Sequence, residues 1–131
     1  VNLYTTTNAG ITWTLVSGSG LELDEINELT FGSSTNGIAV GRKGVNGAVY
    51  KTTNGGLTWV PANSFVTANL KTVHILPDNK TVYASGASGT MIKSTNAGLD
   101  WIEMNSGMYM LIFNSLVLLQ DMLCRKKEKY S

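Results

Sequence analysis

Few groups in this chain could do chemistry. His74 is the only histidine and Cys124 the only cysteine. A histidine works as a base or a metal ligand when a carboxylate, a nucleophile or further ligands stand beside it. His74 instead falls on the alternating run Leu70-Lys71-Thr72-Val73-His74-Ile75, with no cysteine or carboxylate pair close by in sequence. That reads as a structural strand position. Acidic residues cluster at Glu22, Asp24, Glu25 and Glu28. Cleaving a glycosidic bond needs two placed carboxyls, but this cluster reads as a solvated loop entering a strand. Asp78 and Asp100 lie in or beside turns, where Asp bonds neighbouring backbone. Gly41-x-x-Gly44-x-x-Gly47 bridges two strands and lacks the Gly-Lys-Ser/Thr ending of a phosphate loop. Arg42 and Lys43 read as a solvated hairpin tip. The pattern predicts no catalytic residue, no metal ligand and no cofactor.

The elements that would have to position any such group are repeated hairpins. The stretch from Tyr50 to Trp59, Tyr-Lys-Thr-Thr-Asn-Gly-Gly-Leu-Thr-Trp, returns from Tyr4 to Trp13 and from Ile92 to Trp101. Trp13 and Trp59 are 46 residues apart, Trp59 and Trp101 42. A period in the forties in β-rich sequence points to stacked propeller blades. In each copy, Asn tolerates left-handed backbone and Gly takes positive φ without a Cβ clash. Asn-x-Gly between strand-like runs therefore predicts a tight hairpin. The Trp is expected just past the turn, on the returning strand, covering the hairpin with its N–H on a carbonyl. The structural set is Thr6, Asn8, Gly10 and Trp13; Thr52, Asn54, Gly56 and Trp59; Ser94, Asn96, Gly98 and Trp101. A sugar-stacking ladder of the three tryptophans is the rival reading. Identical placement in every repeat suits packing better.

Ser/Thr-x-Asn-x-Gly-x-x-Trp resembles the Asp-box, or BNR repeat, with Asn where Asp is commonest. Gly37-Ile38-Ala39-Val40-Gly41, followed by Gly47-Ala48-Val49-Tyr50-Lys51-Thr52-Thr53-Asn54-Gly55-Gly56, is similar to a more specific pattern. It is that of photosystem II stability/assembly factor-like propellers. Val82-Tyr83-Ala84-Ser85-Gly86 and Gly89-Thr90-Met91-Ile92-Lys93-Ser94-Thr95-Asn96 repeat it more loosely. The resemblance covers residues 1–107. Asp-boxes also occur in sialidases, xyloglucan-degrading glycosidases and sortilin-type receptors, so the box marks a fold element rather than a function. A sialidase would need an arginine cluster, and the chain has only Arg42 and Arg125.

Length and composition agree with one β-rich domain. The chain has 131 residues, 43% hydrophobic, 15% charged, with 14 Gly and two Pro. This is enough apolar content for a core and not a disordered composition. A formal net charge of +1 gives no global drive towards nucleic acid. One cysteine allows no internal disulfide and leaves the redox compartment open.

The expected architecture is all-β, a partial β-propeller of about two and a half four-stranded blades. A partial blade covers 1–17, with Val1–Thr5 and Thr12–Val16 as its strands. A full blade covers 26–62, and another 70–106. Arg42 to Gly47 is expected as a hairpin loop. Thr58–Ala62 and Leu99–Met104 are expected as outer strands, with Pro61 on an edge where its missing N–H costs nothing. The tail, 108–131, departs from the pattern. Met108–Phe113 could open another blade, and Leu116, Leu119 and Leu123 share a helical face. Its apolar stretch is too short and too polar for a membrane span. The tail reads as out of frame, and the start at Val1 reads as a fragment of a longer reading frame.

The resemblance implies a non-enzymatic scaffold that binds a protein or another macromolecule. It implies an exported setting, periplasmic, extracellular or lumenal, with missing blades of the same chain as further partners. The alternative is a fragment of an Asp-box glycoside hydrolase, sialidase-like or xyloglucanase-like, without its catalytic residues. A sortilin-like receptor would add a Cys-rich module and a membrane helix.

Overall fold

In the computed structural model, which describes residues 1–104, three antiparallel sheets follow one another along the chain. Strands β1 (Tyr4–Thr5) and β2 (Thr14–Leu15) form the first, a two-stranded hairpin. The second holds β3 (Glu25–Phe31), β4 (Gly37–Lys43), β5 (Asn46–Thr52) and β6 (Val60–Pro61), ordered in space as in sequence. The third repeats this meander with β7 (Leu70–Ile75), β8 (Val82–Gly86), β9 (Met91–Ser94) and β10 (Ile102–Glu103). A four-stranded meander repeated at this period is a propeller blade, so the chain is all-β and a partial propeller.

Strand alternation sorts the core into layers between blades. Ile38, Val40 and Val49 leave one face of the second sheet and meet Leu70, Val73, Val82, Ala84, Ile92 and Trp101 of the third. Ala39 and Tyr50 leave the other face and pack with Leu21, Leu23 and Trp59 against Leu3 of the first hairpin. β4 and β8 are interior strands, and residues 37–41 of β4 and Val82–Gly86 of β8 read as apolar or small runs because both their faces are largely covered. Pro61 sits on β6, the edge of its sheet, where no further ladder needs its N–H.

The innermost strands are bulged at the same place. Register shifts between Ile26 and Glu28 in β3 and between Leu70 and Thr72 in β7. A bulge turns side chains away from the ordinary pleat. In β3 it sends Asn27 and Glu28 across to the next blade. Asn27 Nδ2 donates to Asn69 Oδ1 at 2.9 Å and to the Leu70 carbonyl at 2.6 Å. Glu28 accepts from Thr72 Oγ1 at 3.2 Å and from the Val73 N–H at 3.3 Å.

Several local expectations need correction. The outer strands are two residues long, not five or six. Each tryptophan precedes its strand instead of lying on it. The reason is that the N–H groups of Thr12, Thr58 and Asp100 bond an Asn side chain, not a facing strand. Arg42 and Lys43 belong to β4, and the hairpin there is the two-residue turn Gly44-Val45. Gly44 takes φ +62 at its first position. The strand and helix expected within 108–131 lie outside the described residues.

Candidate interaction surface and the repeated hairpins

The three boxes share one hydrogen-bond pattern. In the second, Thr52 Oγ1 donates to Asn54 Oδ1 at 2.9 Å and accepts from the Gly56 N–H at 3.0 Å. Asn54 Oδ1 also accepts from the Thr58 N–H at 2.9 Å, and its Nδ2 donates to Thr58 Oγ1 at 2.8 Å. Trp59 Nε1 donates to the Gly56 carbonyl at 3.0 Å. Thr6, Asn8, Gly10 and Trp13 repeat the pattern, with the Gly10 N–H on Thr6 Oγ1 and Trp13 Nε1 on the Gly10 carbonyl, both at 3.0 Å. Ser94, Asn96, Gly98 and Trp101 do so again, with Asp100 in place of the threonine at 2.8 Å from Asn96 Nδ2. The residue before each Gly and the Gly itself take positive φ: Ala9 58 and Gly10 86, Gly55 73 and Gly56 92, Ala97 61 and Gly98 87. These are the signs a type I′ turn requires. The box side chains thus spend their hydrogen bonds on the hairpin.

The tryptophans differ in cover. Trp59 is 3% exposed and Trp101 7%, each against the preceding sheet or hairpin, while Trp13 is 60% exposed. The boxes also lock onto neighbours. Lys51 Nζ reaches the Ala97 carbonyl, and Asn63 Nδ2 donates to Asp100 Oδ1 at 3.0 Å. The Asn63 contact, followed by that from Asn96, holds the Asp100 carboxyl below the usual carboxylate range.

The carboxylates singled out in the sequence are brought together only as structural ties. Glu22 pairs with Lys43 at 2.7 Å. Asp24 accepts from the Gly44 N–H at 2.6 Å. Glu25 lies 3.4 Å from Arg42 and 3.9 Å from Lys71. Asp78 caps its own turn, accepting from the N–H groups of Thr81 and Lys80, which hold its carboxyl below the usual range. Half-buried His74 stands in β7 opposite Tyr83. Among the described residues no three His, Cys, Asp or Glu side chains are grouped to hold a metal. Among them, too, no helix is long and apolar enough to cross a membrane.

One surface feature went unread in the sequence. A groove of about 660 Å³ opens at one end of the second blade. Ala48, Tyr50 and Pro61 line it from β5 and β6, Gly20 and Glu22 from the segment entering the blade, and Ser64–Thr67 from the segment leaving it. Phe65 in that last segment is 91% exposed and holds φ 50. An aromatic residue flanked by Ser and Val in a linker was the available signal, but its backbone sign leaves no trace in the sequence.

No family model and no curated protein matches the chain. Solved structures do. One is YCF48 bound to D1 peptide, at 20% sequence identity and a TM-score of 0.55 over 70% of this chain. The chain spans 29% of the length of that structure. The likeness is one of fold: the chain is built as part of a propeller similar to that of YCF48.

Proposed function

We propose that the chain is a rigid propeller scaffold that binds polypeptide and does no bond chemistry of its own. The observation that carries this reading is where the polar groups go. The box residues Thr6, Asn8, Thr52, Asn54, Ser94 and Asn96 close their own hairpins. Glu22, Asp24, Glu25, Glu28, Asp78 and Asp100 hold neighbouring strands or turns. A glycosidase would keep a facing carboxyl pair free for substrate. What such a frame offers is a fixed surface, and the similar YCF48 structure has a peptide bound. An exported setting is part of the same proposal and rests on the resemblance of the repeats.

A phage-displayed random peptide library, panned on the purified chain beside a panel of chromogenic glycosides, tests it. Enriched peptides with dissociation constants in the micromolar range and no glycoside turnover are expected. Turnover that Glu25→Gln or Glu28→Gln abolishes would establish the hydrolase reading instead.

A further inference from the structure

The polypeptide reading becomes specific at the groove beside Phe65, and an occupant of that groove presupposes the reading. The groove's apolar lining includes Ala48, Pro61 and Val66, while the largely buried Tyr50 accepts from Lys43 Nζ through its hydroxyl at 3.4 Å. The two charged lining residues, Glu22 and Lys43, neutralise each other at 2.7 Å. The remaining polar lining is uncharged, as at Asn46, Ser64 and Thr67. A polyanion needs cationic contacts, and this balance supplies none in excess. The charge fits a neutral segment with an apolar side chain for the floor and backbone amides for the rim.

Phe65 adds a second observation. Two costs coincide in it: an aromatic side chain left 91% in water, and a backbone at φ 50 where bulky residues are outliers. Backbone strain of this kind collects at binding sites, where it sets the aim of a side chain. The position is held from outside, since the Thr67 carbonyl accepts from the Gly47 N–H at 3.3 Å and ties the linker to β5. Val45, on the hairpin that leads into β5, is 89% exposed. Val45 lies outside the groove lining, whereas Phe65 belongs to it, and exposed aromatic anchors carry much of the energy of protein contacts.

We propose that this groove binds an extended, uncharged polypeptide segment through one buried apolar side chain, with Phe65 closing over it.

Peptides selected from a phage-displayed random library on the full chain are the probe. They are titrated into isotope-labelled protein and into Phe65→Gly and Leu57→Ser variants. Glycine accepts φ 50 freely, so Phe65→Gly folds with a melting midpoint no lower than the parent. Leu57 is 59% exposed and lies outside the groove. The expected result is an apolar consensus, amide shifts across Asn46–Tyr50 and Ser64–Thr67, and an affinity loss of about tenfold or more in Phe65→Gly alone. Peptides that bind Phe65→Gly as well as the parent would overturn the groove while leaving a protein-binding scaffold. Recovery of no peptide would end both readings. Xyloglucan oligosaccharides shifting the same amides when peptides do not would make it a sugar site. A dimer that Phe65→Gly dissolves would make the occupant a second copy of the chain. Either of these also overturns the proposal.

Discussion

The Lys51 ammonium donates to the Ala97 carbonyl at 2.6 Å, tying the third strand of one blade to the turn of the next. Ala97 stands in the left-handed region at φ 61, and its turn is set by Asn96 and Gly98. The contact therefore depends on the box having closed first. Partial burial disfavours the charge and holds the Lys51 pKa below its ordinary value of 10.5. Lys51→Met keeps the apolar stem but loses the donor, and should lower unfolding free energy by about 1 kcal/mol in urea titrations. The sign of its pH dependence comes from linkage. Between the lowered folded pKa and 10.5 the unfolded chain binds more protons, so this group adds stability as pH rises there. The parent should gain on Lys51→Met as pH climbs towards that value, and a constant gap would refute the linkage.

Boxes that share one hydrogen-bond pattern should respond unequally to loss of tryptophan. Trp59 and Trp101 are 3% and 7% exposed, Trp13 is 60% exposed, and each donates to its own Gly carbonyl. Truncating a buried aromatic costs about 3–5 kcal/mol, a large share of the stability of a small domain. Trp59→Ala and Trp101→Ala should unfold the chain or nearly so. Trp13→Ala should cost about 1 kcal/mol or less. Equal losses, read by far-ultraviolet circular dichroism during urea titration, would show that the indole hydrogen bond and not its burial sets the cost.

The third box is built to be acid-sensitive and the first two are not. Asp100 takes the place held by Thr12 and Thr58, and it binds both Asn96 and the linker residue Asn63. Its carboxyl is held below the ordinary 3.8, first by Asn63 and then by Asn96. A depressed folded pKa contributes stability above the unfolded value and loses it as pH falls through the folded one. Acid unfolding below pH 3.8 should therefore include loss of this contact. Asp100→Thr restores the pattern of the other boxes and should flatten the stability profile in that window. Amide exchange at Asn63 and Trp101, whose backbones pair, reads the change locally.

The repeat was legible because a turn needs local chemistry. Asn8, Asn54 and Asn96, each two residues before a glycine, place three hairpins without knowledge of distant contacts. The all-β meander follows from their spacing and from alternation in runs such as Leu70–Ile75. What was not legible depends on residues far apart in sequence. Glu28 looked like a solvated strand start and instead binds Thr72 and Val73, placed by a bulge that no periodicity announces. The outer strands looked long because Thr58, Trp59 and Val60, like Trp101 and Ile102, favour extended backbone. The Asn side chains take the N–H groups of Thr58 and Asp100, so the ladder starts later. Phe65 was passed over because the sign of its φ is fixed by the strands its linker joins.

Gly98 and Ile38 make the contact between blades separable from the strain within a turn. Gly10 and Gly98 share a backbone, at φ 86 and 87. A Cβ on Gly10 would sit 3.5 Å from the Trp13 ring, an ordinary contact. On Gly98 it would collide with Cδ1 of Ile38, which is buried between the second and third blades. Gly10→Ala should thus show the strain of positive φ alone, about 1–2 kcal/mol. Gly98→Ala should add overpacking of about 1–3 kcal/mol. Ile38→Val removes the clashing methyl at a cost of its own of about 1 kcal/mol. In the double variant the two losses should fall short of their sum by about 1 kcal/mol, since the methyl that the added Cβ would meet is gone. The paired Gly10→Ala and Ile38→Val changes should simply add. A cycle that is additive at Gly98 as well would mean that the blades separate enough to absorb a methyl, and that the packing of Trp101 against Ile38 does not fix their spacing.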